Sequence, residues 1–151
     1  MVATVQCSND TGQTNLYDRM QTALEVEAIE SEKDLLRLVE DRLSIQVIGA
    51  LVKHGLTDNE IYTLIIPRRT LAHRKLRREP LSQEESERAV RVARITALAE
   101  TVFGNPVQAL HWLRKPKQRF EGRTPLELLA TETGARLVEE MLYQIDEGLF
   151  A

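Results

Sequence analysis

Cysteine occurs once, at Cys7, so the chain can close no internal disulfide and offers no thiolate framework for a metal. A reducing cytoplasm is the expected setting. Aromatics make up 5% of the 151 residues, with 7 Gly and 5 Pro, too few strand and turn formers for an all-β sandwich or barrel. The longest apolar runs are as short as Leu64-Ile65-Ile66, and none approaches the roughly 20 residues of a membrane span. The opening Met1-Val2-Ala3-Thr4-Val5-Gln6-Cys7 lacks a basic stretch leading into a long apolar one, so no secretory signal is expected. His54, His73 and His111 stand apart, none at metal-ligand spacing from Cys or Glu. Gly-rich phosphate loops and nucleophile elbows are missing too. Glu84-Glu85 and Glu139-Glu140 read as helix surface rather than acid–base pairs, and Cys7 as an unactivated thiol. The expectation is no catalytic residue, no metal, no cofactor and no enzyme.

What the chain does hold is 42% hydrophobic and 28% charged residues, dominated by Ala, Leu, Glu and Arg. That composition can bury a core and favours helix. Residues 1–14 are polar and aperiodic, and Leu16, Met20 and Leu24 suggest at most a weak helix near 15–28. Better stripes follow, over 32–43 through Leu35, Leu36, Val39 and Leu43, and over 45–54 up to Gly55. Thr57 with Glu60, Ser82 with Glu85, and Thr124 with Glu127 have capping-box spacing. They open helices at 57–64, at 82 to about Phe103 before Gly104, and after Pro125. Pro67 suits the first turn of a helix over 67–78, which must end before Pro80. A short helix restarts at Asn105-Pro106, a basic loop covers 115–123, and a last helix near 135–147 carries Val138, Met141, Leu142 and Ile145. The expected fold is all-α: a poorly ordered or weakly helical segment over 1–30, a helix-turn-helix part over 31–80, and a helical part over 81–151.

Charge is divided sharply. Between 67 and 78 lie six of the 20 basic residues and none of the 23 acidic ones, whereas 1–66 hold 5 basic and 11 acidic. The helices at 45–54, 57–64 and 67–78 have helix-turn-helix dimensions. At about 100° per residue, Leu71, Ala72 and Leu76 fall on one side of the third helix and Thr70, His73, Arg74 and Arg77 on the other, with Arg69 and Arg78 flanking. The apolar side would pack and the basic side enter a major groove, where arginine forks onto guanine and other cations hold phosphates. The candidate DNA contacts are Arg68, Arg69, Thr70, His73, Arg74, Lys75, Arg77 and Arg78. A solvated basic face, or a patch against the acidic N-terminal half, is the plainer reading of the same run. The turn before Pro67 also lacks the Gly common in such motifs.

Two further features concern partners. Trp112 is read most simply as core and otherwise as an anchor for another protein. At the far end, Gly148 is expected to stop the last helix, leaving Leu149-Phe150-Ala151 either as a tail projecting beyond the acidic pair Asp146-Glu147 or folded back on the core through a capping contact. The stripe at Val92, Ile95, Ala99 and Val102, with the last helix, offers more apolar surface than one small core needs, which points to a homodimer.

From about residue 45 onward the chain resembles the Xre/MbcA/ParS antitoxins, in particular the Xre antitoxins paired with RES-domain toxins. The resemblance rests on Ile66-Pro67-Arg68-Arg69-Thr70-Leu71, Leu81-Ser82 with Glu85-Ser86, Phe103-Gly104 with Ala109 and Trp112-Leu113. It continues through Thr124-Pro125-Leu126-Glu127-Leu128-Leu129, Thr131-Glu132 and Gly134-Ala135-Arg136. It implies a homodimer whose helix-turn-helix binds operator DNA and represses its own operon. It also implies a C-terminal domain that neutralises a RES-type toxin, one that consumes NAD by an activity akin to ADP-ribosyl transfer. The toxin-facing candidates are then Asp146, Glu147, Gly148, Leu149, Phe150 and Ala151, with Trp112. Cations that bind the NAD pyrophosphate would also accept carboxylates. The competing expectation is a stand-alone repressor whose C-terminal half only dimerises. A purely structural adaptor would leave the basic helix without a role.

Overall fold

Ser82 Oγ accepts the Glu85 amide while the Glu85 carboxylate accepts the Ser82 amide, and this reciprocal cap starts the longest helix of the protein, Gln83–Phe103. Gly104 ends it with φ +85, a left-handed geometry that costs glycine little. The computed structural model describes residues 10–148. In chain order its helices are α1 (Asp10–Leu24), α2 (Glu32–Glu40), α3 (Gln46–Lys53), α4 (Asp58–Leu64), α5 (Arg68–Arg77), α6 (Gln83–Phe103), α7 (Pro106–Leu113), α8 (Pro125–Leu128) and α9 (Glu132–Asp146), with a 3-10 turn at Gln118–Phe120. No strand occurs among the described residues.

Helix α6 is the axle. Ala89, Val92, Ala93, Ile95, Ala97, Leu98 and Ala99 are all buried, and α1, α2, α3, α7 and α9 pack around it. The alanines keep helix propensity high while letting neighbouring helices approach closely. Val92, Ile95 and Ala99 therefore lie inside one continuous core that runs from Leu16 to Leu142. The surplus apolar surface expected of that stripe is absorbed within the chain, so the stripe lends no support to self-association.

The short helix expected near 15–28 on Leu16, Met20 and Leu24 forms, and it begins earlier in the chain. Helix α1 starts at Asp10 and is a full partner of the core, with Leu16, Tyr17, Met20, Ala23 and Leu24 buried. Its stripe was faint in the sequence because the tyrosine and the alanine carry it as much as the leucines do. Residues 1–9 lie outside the described residues.

Buried charge ties α1 to the rest. Glu100 of α6 is 4% exposed and sits between Arg19 Nη1 at 3.2 Å and His54 Nε2 at 2.9 Å. His54, expected only to complement the end of α3, thus has a carboxylate for a partner. Further along the chain, Thr124 caps α8 through the Glu127 amide. The reciprocal bond expected from Glu127 does not form, so that motif is half a capping box.

Gly134 explains itself by contact. A Cβ there would run into the backbone carbonyl of Leu128, where α9 leaves α8. Backbone cannot swing aside as a side chain can, so Gly134→Ala is expected to destabilise by roughly 1–3 kcal/mol, the range for overpacking. A thermal melt equal to wild type would contradict the close approach.

Candidate functional site

The apolar run Leu64-Ile65-Ile66 proves to be the end of α4 and the turn that follows it. All three residues are buried, which seats the connection between α4 and α5 in the core. Helix α4 is started by the Thr57–Glu60 capping box, with both reciprocal bonds present. Pro67, with φ −59 and ψ 148, stands just before α5. From α6, Arg88 Nη1 donates to the Ile65 carbonyl at 3.0 Å, closing the end of α4. The same turn of α6 supplies Glu85, which grips α5. Arg74 Nε donates to Glu85 Oε1 at 3.0 Å, its Nη2 to Oε2 at 3.3 Å, and its Nη1 to Glu79 at 3.2 Å.

That grip sets the rotation of α5, and the rotation differs from the expected one. Leu71 is the one buried residue of the helix, and Arg74 is turned inward beside it. Ala72 is exposed and Leu76 is 83% exposed, although both were expected to pack with Leu71. The outward face is therefore Arg69, Ala72 and Leu76, at i, i+3 and i+7, with Arg68 and His73 at its sides and Thr70 half-buried. The reason is electrostatic. Glu85 is 7% exposed, and leaving a buried carboxylate unpaired costs more than exposing one leucine. Arg68, Arg69, His73, Lys75, Arg77 and Arg78 are exposed and form no ion pair among the described residues. Arg74 holds the helix, and its neighbours present the charge.

Burial pushes the Glu85 carboxyl up, but the Arg74 guanidinium and the Ser82 amide outweigh it and hold the group below its ordinary 4.5. At Glu60 burial is likewise outweighed by Arg114 and Thr57. Arg114, past the end of α7, makes two bonds of 2.8–2.9 Å to Glu60 and one to the Gly55 carbonyl. Glu32 is held low chiefly by a forked bond from Arg94. Each of these carboxylates has its folded pKa below its unfolded one, so each stabilises the fold at neutral pH and loses that contribution as pH falls through the folded value. The melting temperature is expected to be level above about pH 5 and to drop progressively below it. Glu85→Gln should shallow that drop. A melting temperature unchanged between neutral and acid pH would contradict the pairing.

At the other end, Asp146 and Glu147 are at the surface where α9 finishes, and Gly148 has φ +75. Leu149, Phe150 and Ala151 lie outside the described residues. Trp112 is half-buried, its ring 5.6 Å from that of Phe103 and covered by Lys117 Nζ at 4.7 Å. Between α2, α6 and α9 runs a groove of about 860 Å³ whose wall includes Leu36, Val39 and Tyr143 and extends to Glu147. Leu36, Leu137 and Tyr143 are the larger apolar residues exposed on α2 and α9. Among the described residues no cluster of His, Cys, Asp or Glu could hold a metal ion, and no helix is long and apolar enough to cross a membrane.

Comparison with known proteins divides the chain along the same axis. Residues 34–94 match the antitoxin Xre-like helix-turn-helix domain, and residues 98–148 match the antitoxin Xre/MbcA/ParS C-terminal toxin-binding domain. The two matches meet within α6. Over 139 residues, 92% of this chain and 87% of the relative, the sequence is 40% identical to "Antitoxin Xre" of Pseudomonas putida. It is 34% identical to "Antitoxin Xre" of Yersinia enterocolitica, over 57% of this chain and 59% of that protein. It is also 34% identical to the "Prs ADP-ribosylating antitoxin" of a Sphingobium species, over 48% of this chain and 52% of that protein.

Proposed function

Because the chain belongs to the family of Xre antitoxins, with a helix-turn-helix domain and a C-terminal toxin-binding domain, we propose that it neutralises a RES-type toxin and represses its own operon. Membership makes it a non-enzymatic regulator whose partners are a toxin and DNA. The observation that carries the DNA half is the surface of α5. Five of the six cations between 67 and 78 face solvent with no acidic partner among the described residues, while the sixth, Arg74, is turned inward to fix the helix. In an otherwise acidic protein, such a projecting cationic helix suits a major groove. A dimer would set two copies of α5 about 34 Å apart for an inverted repeat. With the α6 stripe inside the core, exposed apolar residues such as Leu36, Val107, Leu137 and Tyr143 are left to support that dimer. The division we adopt is a DNA-reading part over 31–80 and a toxin-binding part over 81–151, with 1–30 contributing α1 to the shared core.

The toxin half rests on α9. An NAD-consuming site must hold a pyrophosphate, and the cations that do so would accept carboxylates. Asp146 and Glu147 present two at the surface, beside a glycine that turns the chain. We place residues 146–151 in the toxin's cofactor site, with Phe150 in an apolar subpocket and Trp112 as a further contact. One relative is named for ADP-ribosylation, a chemistry that consumes NAD.

The test is binding of the full-length protein to two probes: the DNA upstream of its own reading frame, and the product of the adjacent reading frame. Salt-dependent, saturable binding to the first and co-purification with the second are expected. DNA binding with no protein partner would leave a stand-alone repressor in place of an antitoxin.

A further inference from the structure

Leu76 is the anomaly on α5. A leucine 83% exposed in the middle of six cations is poorly placed for solvent and makes no use of the core beneath it. Ala72 lies one turn earlier on the same face, also exposed, and Arg69 completes the row. The inward side is already committed to Leu71 and to the Arg74–Glu85 pair, so the helix cannot roll to hide Leu76 without breaking a buried ion pair. The apolar strip is thus held outward, flanked by Arg68, His73, Lys75 and Arg77.

A strip of that shape and setting fits one occupant best. Flanking cations select a polyanion, and an apolar strip narrower than the helix cannot anchor a protein partner by area alone. In the major groove the apolar feature on a base edge is the thymine C5-methyl, which apolar side chains contact. Ala72 and Leu76 are four residues apart, about 6 Å along the helix axis, close to two base steps at about 3.4 Å each. We propose that Leu76, with Ala72 behind it, reads thymine methyl groups and is the specificity-determining apolar contact of α5. Arg69 on the same face is placed to read a neighbouring guanine, and Lys75, Arg77 and Arg78 hold phosphates. This inference rests on the DNA-binding reading above.

The experiment selects the tightest duplexes from a random-sequence DNA pool with the full-length protein, then replaces each thymine of the best duplex by deoxyuridine. That change removes the methyl group and keeps every hydrogen-bonding group. At one or two positions uracil is expected to weaken wild-type binding roughly fourfold, the worth of one buried methyl. Leu76→Ala should bind the thymine duplex more weakly by a similar factor and lose the uracil penalty at one of those positions. Because the side chain is exposed, the variant should fold as wild type, which its melting temperature checks. Tolerance of uracil at every position overturns the proposal, as does a uracil penalty unchanged in Leu76→Ala. An equal loss on both duplexes together with an altered oligomeric state also overturns it, because Leu76 then serves a second copy of the chain. If no duplex is enriched over the starting pool, it is the DNA-binding reading itself that fails.

Discussion

Removal of residues 148–151 should abolish protection of cellular NAD while leaving the protein folded and its DNA binding intact. The core explains the second half of that expectation. Helix α9 is anchored by Ala135, Val138 and Leu142, with Val138 and Leu142 fully buried, and its last residue is Asp146. Gly148, the last described residue, donates its amide to the Ile145 carbonyl at the end of α9 itself. The first half follows from chemistry. If Asp146, Glu147 and Phe150 occupy the place of the NAD pyrophosphate and an adjoining ring, removing Phe150 reopens the site even where the toxin-binding domain still docks. The readout is NAD concentration in cells carrying toxin with full-length or shortened antitoxin. Full protection by the shortened chain would remove the plug, and a shortened chain that no longer folds would assign the tail to the core.

The second large effect belongs to the outward arginines. Arg68→Ala with Arg69→Ala should weaken operator binding by roughly 30-fold to 10,000-fold, at about 1–3 kcal/mol for each base-reading arginine. Where an arginine instead holds a phosphate, its removal should lower the salt slope by about one. Both side chains are exposed and unpaired among the described residues, so the melting temperature should not move. Arg74→Ala should behave differently. It leaves Glu85 buried without its cation, a loss of roughly 3 kcal/mol in stability, and weakens DNA binding through the freed rotation of α5. Neutralisation of the toxin should survive the Arg68/Arg69 change, since α9 lies in the other half of the chain. An operator affinity and salt slope left unchanged by the double substitution would show that α5 is not the reader.

The contrast between those arginines marks what could be read from the chain and what could not. Helix ends were legible where they are set by neighbours in sequence. Thr57 with Glu60, Ser82 with Glu85, Gly104 and Gly148 act within one turn, and each stands where the pattern placed it. The basic run was legible as composition. Its orientation was not, because the group that turns Arg74 inward is Glu85, 11 residues on and across a turn, and Glu85 had looked like helix surface. Once Glu85 is buried, the wheel of α5 rotates and carries Ala72 and Leu76 outward. Glu100 was hidden for the same reason, since its partners Arg19 and His54 come from α1 and the end of α3. Helix α1 was legible only faintly because most of its face packs on α6, whose own composition demands a neighbour but does not name one. Pairings between distant elements carry these features, and single-chain periodicity does not record them.

The most direct measurement is intracellular NAD in cells expressing the product of the adjacent reading frame, with and without this protein. NAD should collapse when the neighbour is expressed alone and stay near the level of untreated cells when the two are expressed together, with the pair co-purifying as one complex. NAD that does not fall with the neighbour alone, or that falls equally in the presence of this chain, would contradict its role as the antitoxin of an NAD-consuming toxin.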